Sequence, residues 1–325
     1  MKTTREKYGL LVIGIFLGLT YGLLTRIIFG ERATLASISY LFLIPTVLGM
    51  VPLMLANYEQ LKSYRNLIFI PWLTVGTFFL TMVLVGLEGF LCLMVLAAPF
   101  IILASIGAFI FRLIQIRRDQ KKGKYVGLLM LPFLLSPLEQ LITSPSATYD
   151  VTSTVVIASG SEEVWLNIIE VDSISEHEYN GGWFHDLGIP RPISATVDTR
   201  GVGGQRIGHF EGGLIFMERI THYDALHAVS FDIQVDPNSV GEKVFDQHVL
   251  NGNYFQFVNA TYRLTARPHR EIVLELKSSY QLTSKINFYG KLWGDVILKD
   301  FQNRLLEVIK RRCESTRVSK LRPSA

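Results

Sequence analysis

Two neighbouring pairs in this chain have the residue types that move protons or hold metal ions: His185 beside Asp186, and Asp246 close to His248. An imidazole titrates near neutral pH, and together with a carboxylate it supplies common proton carriers and ligands for divalent metals. Their spacing argues against both uses. Adjacent residues in a strand point to opposite faces, and the chain has no HExxH and no repeated Cys/His spacing. Arg206, His209, Glu211 and Glu218 add polar candidates to the same half of the chain. Cys92 and Cys313 lie far apart, have no His or Cys at ligand spacing and cannot make a disulfide framework. No Ser–His–Asp or Cys–His set can be assembled, so no catalytic residue, metal or cofactor is assigned. "GVGGQR" at 201–206 has Arg206 where a dinucleotide loop needs its third glycine, and a strand pattern follows, so it reads as a hairpin turn. "NAT" at 259–261 is a glycosylation sequon by pattern alone, inside an expected strand.

These residues lie in the second half of the chain, and the first half is of a different kind. A hydrophobic content of 49% and a mean hydropathy of +0.30 exceed those of an ordinary soluble protein, and the excess lies before residue 143. Four nearly uncharged segments, 8–29, 38–56, 67–87 and 89–111, are long enough at ~1.5 Å per residue to cross a hydrocarbon layer ~30 Å thick. The first is too long for a signal peptide and lacks a small-x-small cleavage site. A fifth segment, 125–142, is at the short end for a span and contains Pro132, Pro137 and Glu139, all tolerable where neighbouring helices satisfy the freed carbonyls. The expectation is an all-α membrane domain over 1–143 with five transmembrane helices, or four if 125–142 is interfacial or re-entrant.

Thirteen Lys/Arg against six Asp/Glu up to residue 143, and nineteen against twenty-two beyond it, make the net +4 a property of the membrane half. Lys2, Arg5 and Lys7, then Lys62 and Arg65, then Arg112, Arg117, Arg118, Lys121, Lys122 and Lys124 mark loops on one face. The alternate loops hold only Arg32, offset by Glu31, and Glu88. This asymmetry expects a multi-pass cell (inner) membrane protein with its N-terminus in the cytoplasm and Arg26 snorkelling at the outer end of its span. Five spans put the C-terminal half outside the cytoplasm; four keep it inside. Basic membrane loops account for the pI, and without a basic-aromatic stripe no nucleic-acid role is expected.

Residues 144–150 read as a linker, and the composition then becomes that of an α+β domain. "VTSTVVIAS" is strand-like. "SEEVWLNII" has Ser161 as N-cap, Glu162 and Glu163 in its first turn, and Val164, Trp165, Ile168 and Ile169 at helical spacing. A short helix or turn is expected at 172–180, and about six strands follow, with the alternation of "FDIQV" and "EIVLELKSSY" as the pattern. From Asn287 a long helix is expected, with Phe288, Leu292, Val296, Phe301, Leu305, Val308 and Ile309 on one stripe. The remainder, 315–325, reads as a disordered basic tail.

This order of elements, with "VVIASGSEEVWLNI" as the opening strand and helix and the amphipathic final helix, resembles the START/SRPBCC helix-grip superfamily over 151–314. Its polyketide cyclase/dehydrase-like subgroup is the nearest. The resemblance implies a curved antiparallel sheet of about seven strands around a long C-terminal helix, with a cavity between them for a hydrophobic ligand. On that implication Trp183, Phe184, His185, His209, Phe216, Phe231, Tyr280 and Trp293 are the ligand-binding candidates; Phe255 and Phe257 add to the aromatic surplus, which a filled core would also use. The implied function is membrane-tethered binding or transfer of a hydrophobic small molecule or lipid. The alternatives are a cyclase/dehydratase-type enzyme on a polyketide-like or isoprenoid substrate, and a ligand-sensing structural module. The implied partners are that ligand and the membrane.

Overall fold

The computed structural model describes residues 4–29, 37–117, 126–179, 181–240 and 254–321. Asp246 and His248 therefore lie outside the described residues. Contacts divide the chain into two units, one of Met1–Pro145 with Ser284–Ile286 and one of Ser146–Thr283 with Asn287–Ala325.

The first unit consists of helices α1 (Thr4–Phe29), α2 (Ser39–Leu55), α3 (Tyr58–Lys62), α4 (Tyr64–Leu84), α5 (Phe90–Arg117) and α6 (Val126–Gln140). Among the described residues three of them, α1, α4 and α5, are long and apolar enough to cross a membrane, against the five or four expected. The expected spans α2 and α6 are shorter helices, and both contain prolines, as do the longer α4 and α5. Each proline removes a backbone donor and crowds the preceding turn, and α2 is a composite of five π-type, seven α and five 3-10 residues, with Pro45 and Pro52 opening its second and third pieces. The α6 helix runs through Pro132 and Pro137 and covers 15 of the described residues.

Small residues set the packing of α2 on α5. A Cβ on Gly49 would sit 1.9 Å from the Ala104 carbonyl oxygen, and one on Gly107 would sit 1.9 Å from that of Thr46. The two backbones meet as closely as small-residue membrane interfaces allow. Two charged side chains of this unit, Arg26 and Glu139, are paired inside it. Arg26 is 3% exposed, so it does not snorkel; its Nε lies 2.9 Å from Glu88 Oε1, and its Nη2 donates to the Leu87 carbonyl at 3.1 Å. The Glu139 carboxylate accepts from Ser37 Oγ and from the backbone N–H groups of Ile38 and Ser39, which satisfies donors at the start of α2.

The second unit is one antiparallel sheet of strands β1 (Ser146–Ile157), β2 (Pro192–Val197), β3 (Gln205–Phe210), β4 (Ile215–Asp224), β5 (Ala228–Val235), β6 (Phe255–Arg267) and β7 (Glu271–Thr283). Their order is β1-β7-β6-β5-β4-β3-β2, a meander whose first strand returns beside its last. β1 starts at Ser146, inside the stretch read as a linker. Among the described residues three α-helices accompany the sheet: α7 (Ser161–Ile169), the single turn α8 (Trp183–Asp186) and α9 (Asn287–Leu321). Gly160, not Ser161, is the N-cap of α7, whose Val164, Trp165, Ile168 and Ile169 are buried as their spacing requires. These join Ile220, Phe231, Leu264, Leu274 and, from α9, Leu306, Ile309 and Cys313 in the main core.

The α9 helix differs from expectation in two ways. It continues to Leu321, so helix replaces most of the expected tail. Its buried face runs through Leu298, Gln302, Leu306, Ile309 and Cys313, whereas Phe288, Leu292 and Val296 are exposed. Gln302 is 1% exposed and fully used: it accepts from Ser153 Oγ at 2.8 Å and donates to the Val151 carbonyl and Ser278 Oγ at 3.0 and 2.9 Å. A buried amide with partners on β1 and β7 fixes where α9 docks.

Candidate ligand cavity

Alternation along β3 puts Arg206, Gly208 and Phe210 on one face, and register places Arg206 opposite Glu218 and Gly208 opposite Phe216 on β4. That face, with Phe231 and Ile233 of β5, Phe257, Ala260 and Tyr262 of β6, and Leu298, Phe301 and Leu305 of α9, bounds a partly open cavity of ≈ 90 Å³. Three rings crowd it: Phe210 lies 4.5 Å from Phe216 by centroids, and Phe216 lies 5.1 Å from Phe257. The volume falls below the ~300–1,000 Å³ of sites that enclose drug-sized molecules. The space as it stands takes a group of a few heavy atoms, and a larger guest requires the phenylalanines to turn.

The polar part of the wall is an ion pair. Arg206 Nη1 bonds Glu218 Oε2, with the two side chains 9% and 10% exposed. The guanidinium also donates from Nε to the Ile169 carbonyl at 3.2 Å and lies over the Phe231 ring, 5.2 Å from its centroid. A buried charge persists only when paired and hydrogen-bonded, and this one is both. Burial pushes the nearby Tyr262 phenol up to about 12, so the hydroxyl stays protonated across the physiological range.

The sequence candidates fall in several places. Phe216 and Phe231 line the cavity. His209, between Gly208 and Phe210, points to the opposite face of β3. Trp183 is half exposed and stacks on the buried Phe184 with centroids 4.3 Å apart, in α8. His185 shares that turn with both ring nitrogens engaged: Nε2 lies 3.0 Å from Tyr179 Oη and Nδ1 2.7 Å from the Ile189 carbonyl oxygen. The carbonyl can only accept, so Nδ1 carries the proton and Nε2 accepts from the tyrosine. Burial holds the imidazole below its ordinary pKa, and the ring bridges Tyr179 and the Ile189 carbonyl. Asp186 is exposed, and Glu211 is bound by Arg191, whose Nε lies 2.8 Å from Oε1. Tyr280 is fully buried and donates from its hydroxyl to Asp295 Oδ1 at 2.8 Å; Gly294 leaves room for its ring under α9. Trp293 is partly buried on α9 and is not among the lining residues. Among the described residues no three His, Cys, Asp or Glu side chains converge as a metal site would need. "GVGGQR" forms the turn between β2 and β3, with Gly203 at φ 92°.

The lining residues absent from the sequence candidates are chiefly Phe210, Tyr262, Phe301 and Leu305. One signal was available: Gly212 and Gly213 adopt positive φ in the turn between β3 and β4. Folding the chain back about that point sets 206 against 218 and 208 against 216.

No family model matches the chain, and no curated protein matches it. Similar solved structures include a protein from Arthrobacter aurescens, at 13% identity and a TM-score of 0.34, covering 51% of this chain and 86% of that one. Truncated norcoclaurine synthase from Thalictrum flavum is 12% identical with a TM-score of 0.33, covering 52% of this chain and 96% of that one. A point mutant of the same synthase, in complex with a transition-state analogue, gives 12% and 0.34, covering 53% and 98%. Likeness of this degree carries no argument about what this chain does. The seven-stranded antiparallel sheet with its C-terminal helix fits the helix-grip arrangement.

Proposed function

We propose that the second unit binds a small hydrophobic molecule carrying an uncharged polar head, and that the apolar helices of the first unit hold it at a cell membrane. The carrying observation is the aromatic-walled cavity with the Arg206–Glu218 pair in its wall. Arg206 and Glu218 neutralise each other, so a hydroxyl can donate to the carboxylate, or a carbonyl can accept from the guanidinium, without burying a new charge. A ligand carboxylate would compete with Glu218 and bring a second negative charge into a poorly solvated space. The apolar body of the ligand would displace the Phe210, Phe216 and Phe257 rings, so binding includes a side-chain rearrangement. Membrane attachment keeps such a domain at high effective concentration near ligands dissolved in lipid. The Lys/Arg-rich loops fall on one face only if α2 and α6 cross as well as α1, α4 and α5; that arrangement would pair a cytoplasmic N-terminus with a binding domain on the opposite face.

Titration of the full-length protein in detergent with a fluorescent long-chain alcohol and the matching fatty acid tests the reading. The alcohol should bind at least about tenfold more tightly, a difference of ~1.4 kcal/mol. Ala260→Leu, which adds three carbons inside the cavity, should weaken it. Equal or reversed preference for the acid would contradict the assignment of the polar head.

A further inference from the structure

The outward face of α9 changes character along its length. Phe288, Leu292 and Val296 recur every four residues, so they form one stripe, and they are 67%, 58% and 46% exposed. Continued toward the C-terminus, the same stripe meets Lys299 and Asn303, both exposed and polar. The apolar part extends ~12 Å, just over two turns, and then ends abruptly. Leu298 and Phe301, on another side of the same helix, face the cavity, so the exposed stripe is not a misplaced part of that wall.

Two observations name what covers it. The helix begins one bond after Ser284–Ile286, and those three residues group with the unit that carries the helices long and apolar enough to cross a membrane. The stripe also has the composition of a bilayer interface: the partly buried aromatic residues Tyr289 and Trp293 flank it, with Lys291 and Lys299 alongside. We infer that the first turns of α9 lie in the lipid interface, with Phe288, Leu292 and Val296 among the upper acyl chains, and that the helix leaves the lipid at Lys299. The occupant is the bilayer itself. Its charge preference is weak, because the nearby lysines are engaged within the fold: Lys291 bonds Asp295, and Lys299 donates to the Thr152 carbonyl. The contact is therefore apolar and insensitive to salt, and it stands whether or not the cavity binds the proposed ligand.

Both native thiols are buried, so a single added cysteine can carry a fluorescent label. The full-length protein bearing Phe288→Cys, Leu292→Cys, Val296→Cys or the control Asn303→Cys is labelled and reconstituted into phosphatidylcholine vesicles, with and without brominated acyl chains. Labels at 288, 292 and 296 should lose most of their fluorescence in brominated lipid and resist aqueous iodide, while the label at 303 behaves in the opposite way. Adding anionic lipid or high salt should change neither result. Iodide quenching at 288, 292 and 296 equal to that at 303 would overturn the inference. So would shielding from both quenchers, the result expected if a second copy or another protein covers the stripe. Continued protection of Cys313 from thiol reagents verifies that each variant is folded.

Discussion

Replacing Glu218 by Gln keeps the size of the side chain and an oxygen acceptor but removes the charge opposite Arg206. The guanidinium would retain the Ile169 carbonyl and the face of the Phe231 ring. Its side chain is only 9% exposed, so water can replace the missing carboxylate only in part. Breaking a buried pair typically costs ~3–5 kcal/mol; the remaining acceptors and the partly open cavity argue for the lower end, about 3 kcal/mol. Arg206→Met strands the carboxylate instead and should cost a similar amount. The double variant Arg206→Met with Glu218→Leu leaves no charge behind and should lie within ~1 kcal/mol of the wild type, because apolar residues often replace a buried pair without loss. Unfolding can be followed in urea on the full-length protein carrying Cys92→Ala, by the rate at which Cys313 becomes reactive. That thiol is fully buried in the core of the second unit, and burial pushes its pKa up to about 12. Single-variant costs below ~0.5 kcal/mol, the range of an exposed pair, would refute the claim that the pair walls a poorly solvated cavity. A stable double variant that has lost its preference for the alcohol ligand would assign the pair to binding rather than folding.

Arg312 holds the Glu178 carboxyl down to about 2, against an ordinary value of 4.5. The pair therefore stabilises the fold fully above about pH 4.5, and that contribution is lost as the pH falls toward 2; at 38% exposure of Glu178 it is under about 1 kcal/mol. Acid-unfolding curves of Glu178→Gln and wild type should converge below that window and separate above it. Gly107→Leu would drive a side chain into the Thr46 carbonyl, so α2 and α5 must part; a sharp fall in the yield of monodisperse protein in detergent is expected, and an unchanged yield would contradict the packing. Cys313 should not react with impermeant thiol reagents in folded protein, so sidedness is read from Val202→Cys, at a position 69% exposed. Labelling in intact cells, or in spheroplasts if there is an outer membrane, supports a domain outside the cytoplasm; labelling only after lysis reverses that assignment.

The parts of this fold that were legible in the sequence are those fixed by short-range periodicity. Val164, Trp165, Ile168 and Ile169 declared the face of α7, and Ile272, Leu274 and Leu276 declared that of β7. Features made by long-range pairing were not legible. The apolar residues of α9 recur every four positions from 288 to 296, a spacing that rotates gradually around a helix of 3.6 residues per turn, so the early stripe drifts off the face that Leu298, Leu306 and Ile309 bury. Gln302 would be assigned to solvent on any hydropathy scale, yet its partners on β1 and β7 lie more than twenty residues away. The span count differed because hydropathy sums residues without fixing helix length: α2 and α6 are apolar, but among the described residues both are shorter than α1, α4 and α5. Both members of the cavity pair were visible as polar candidates. Their meeting depended on the register of β3 on β4.

The most direct measurement is native mass spectrometry of the full-length protein released from detergent without added ligand, wild type beside Ala260→Leu. The account predicts that part of the wild type carries a copurified hydrophobic molecule with a hydroxyl or carbonyl and no ionised carboxylate, and that the filled-cavity variant, still folded by Cys313 protection, carries much less of it. A bound molecule retained equally by both proteins, or one that is a fatty acid, would contradict it.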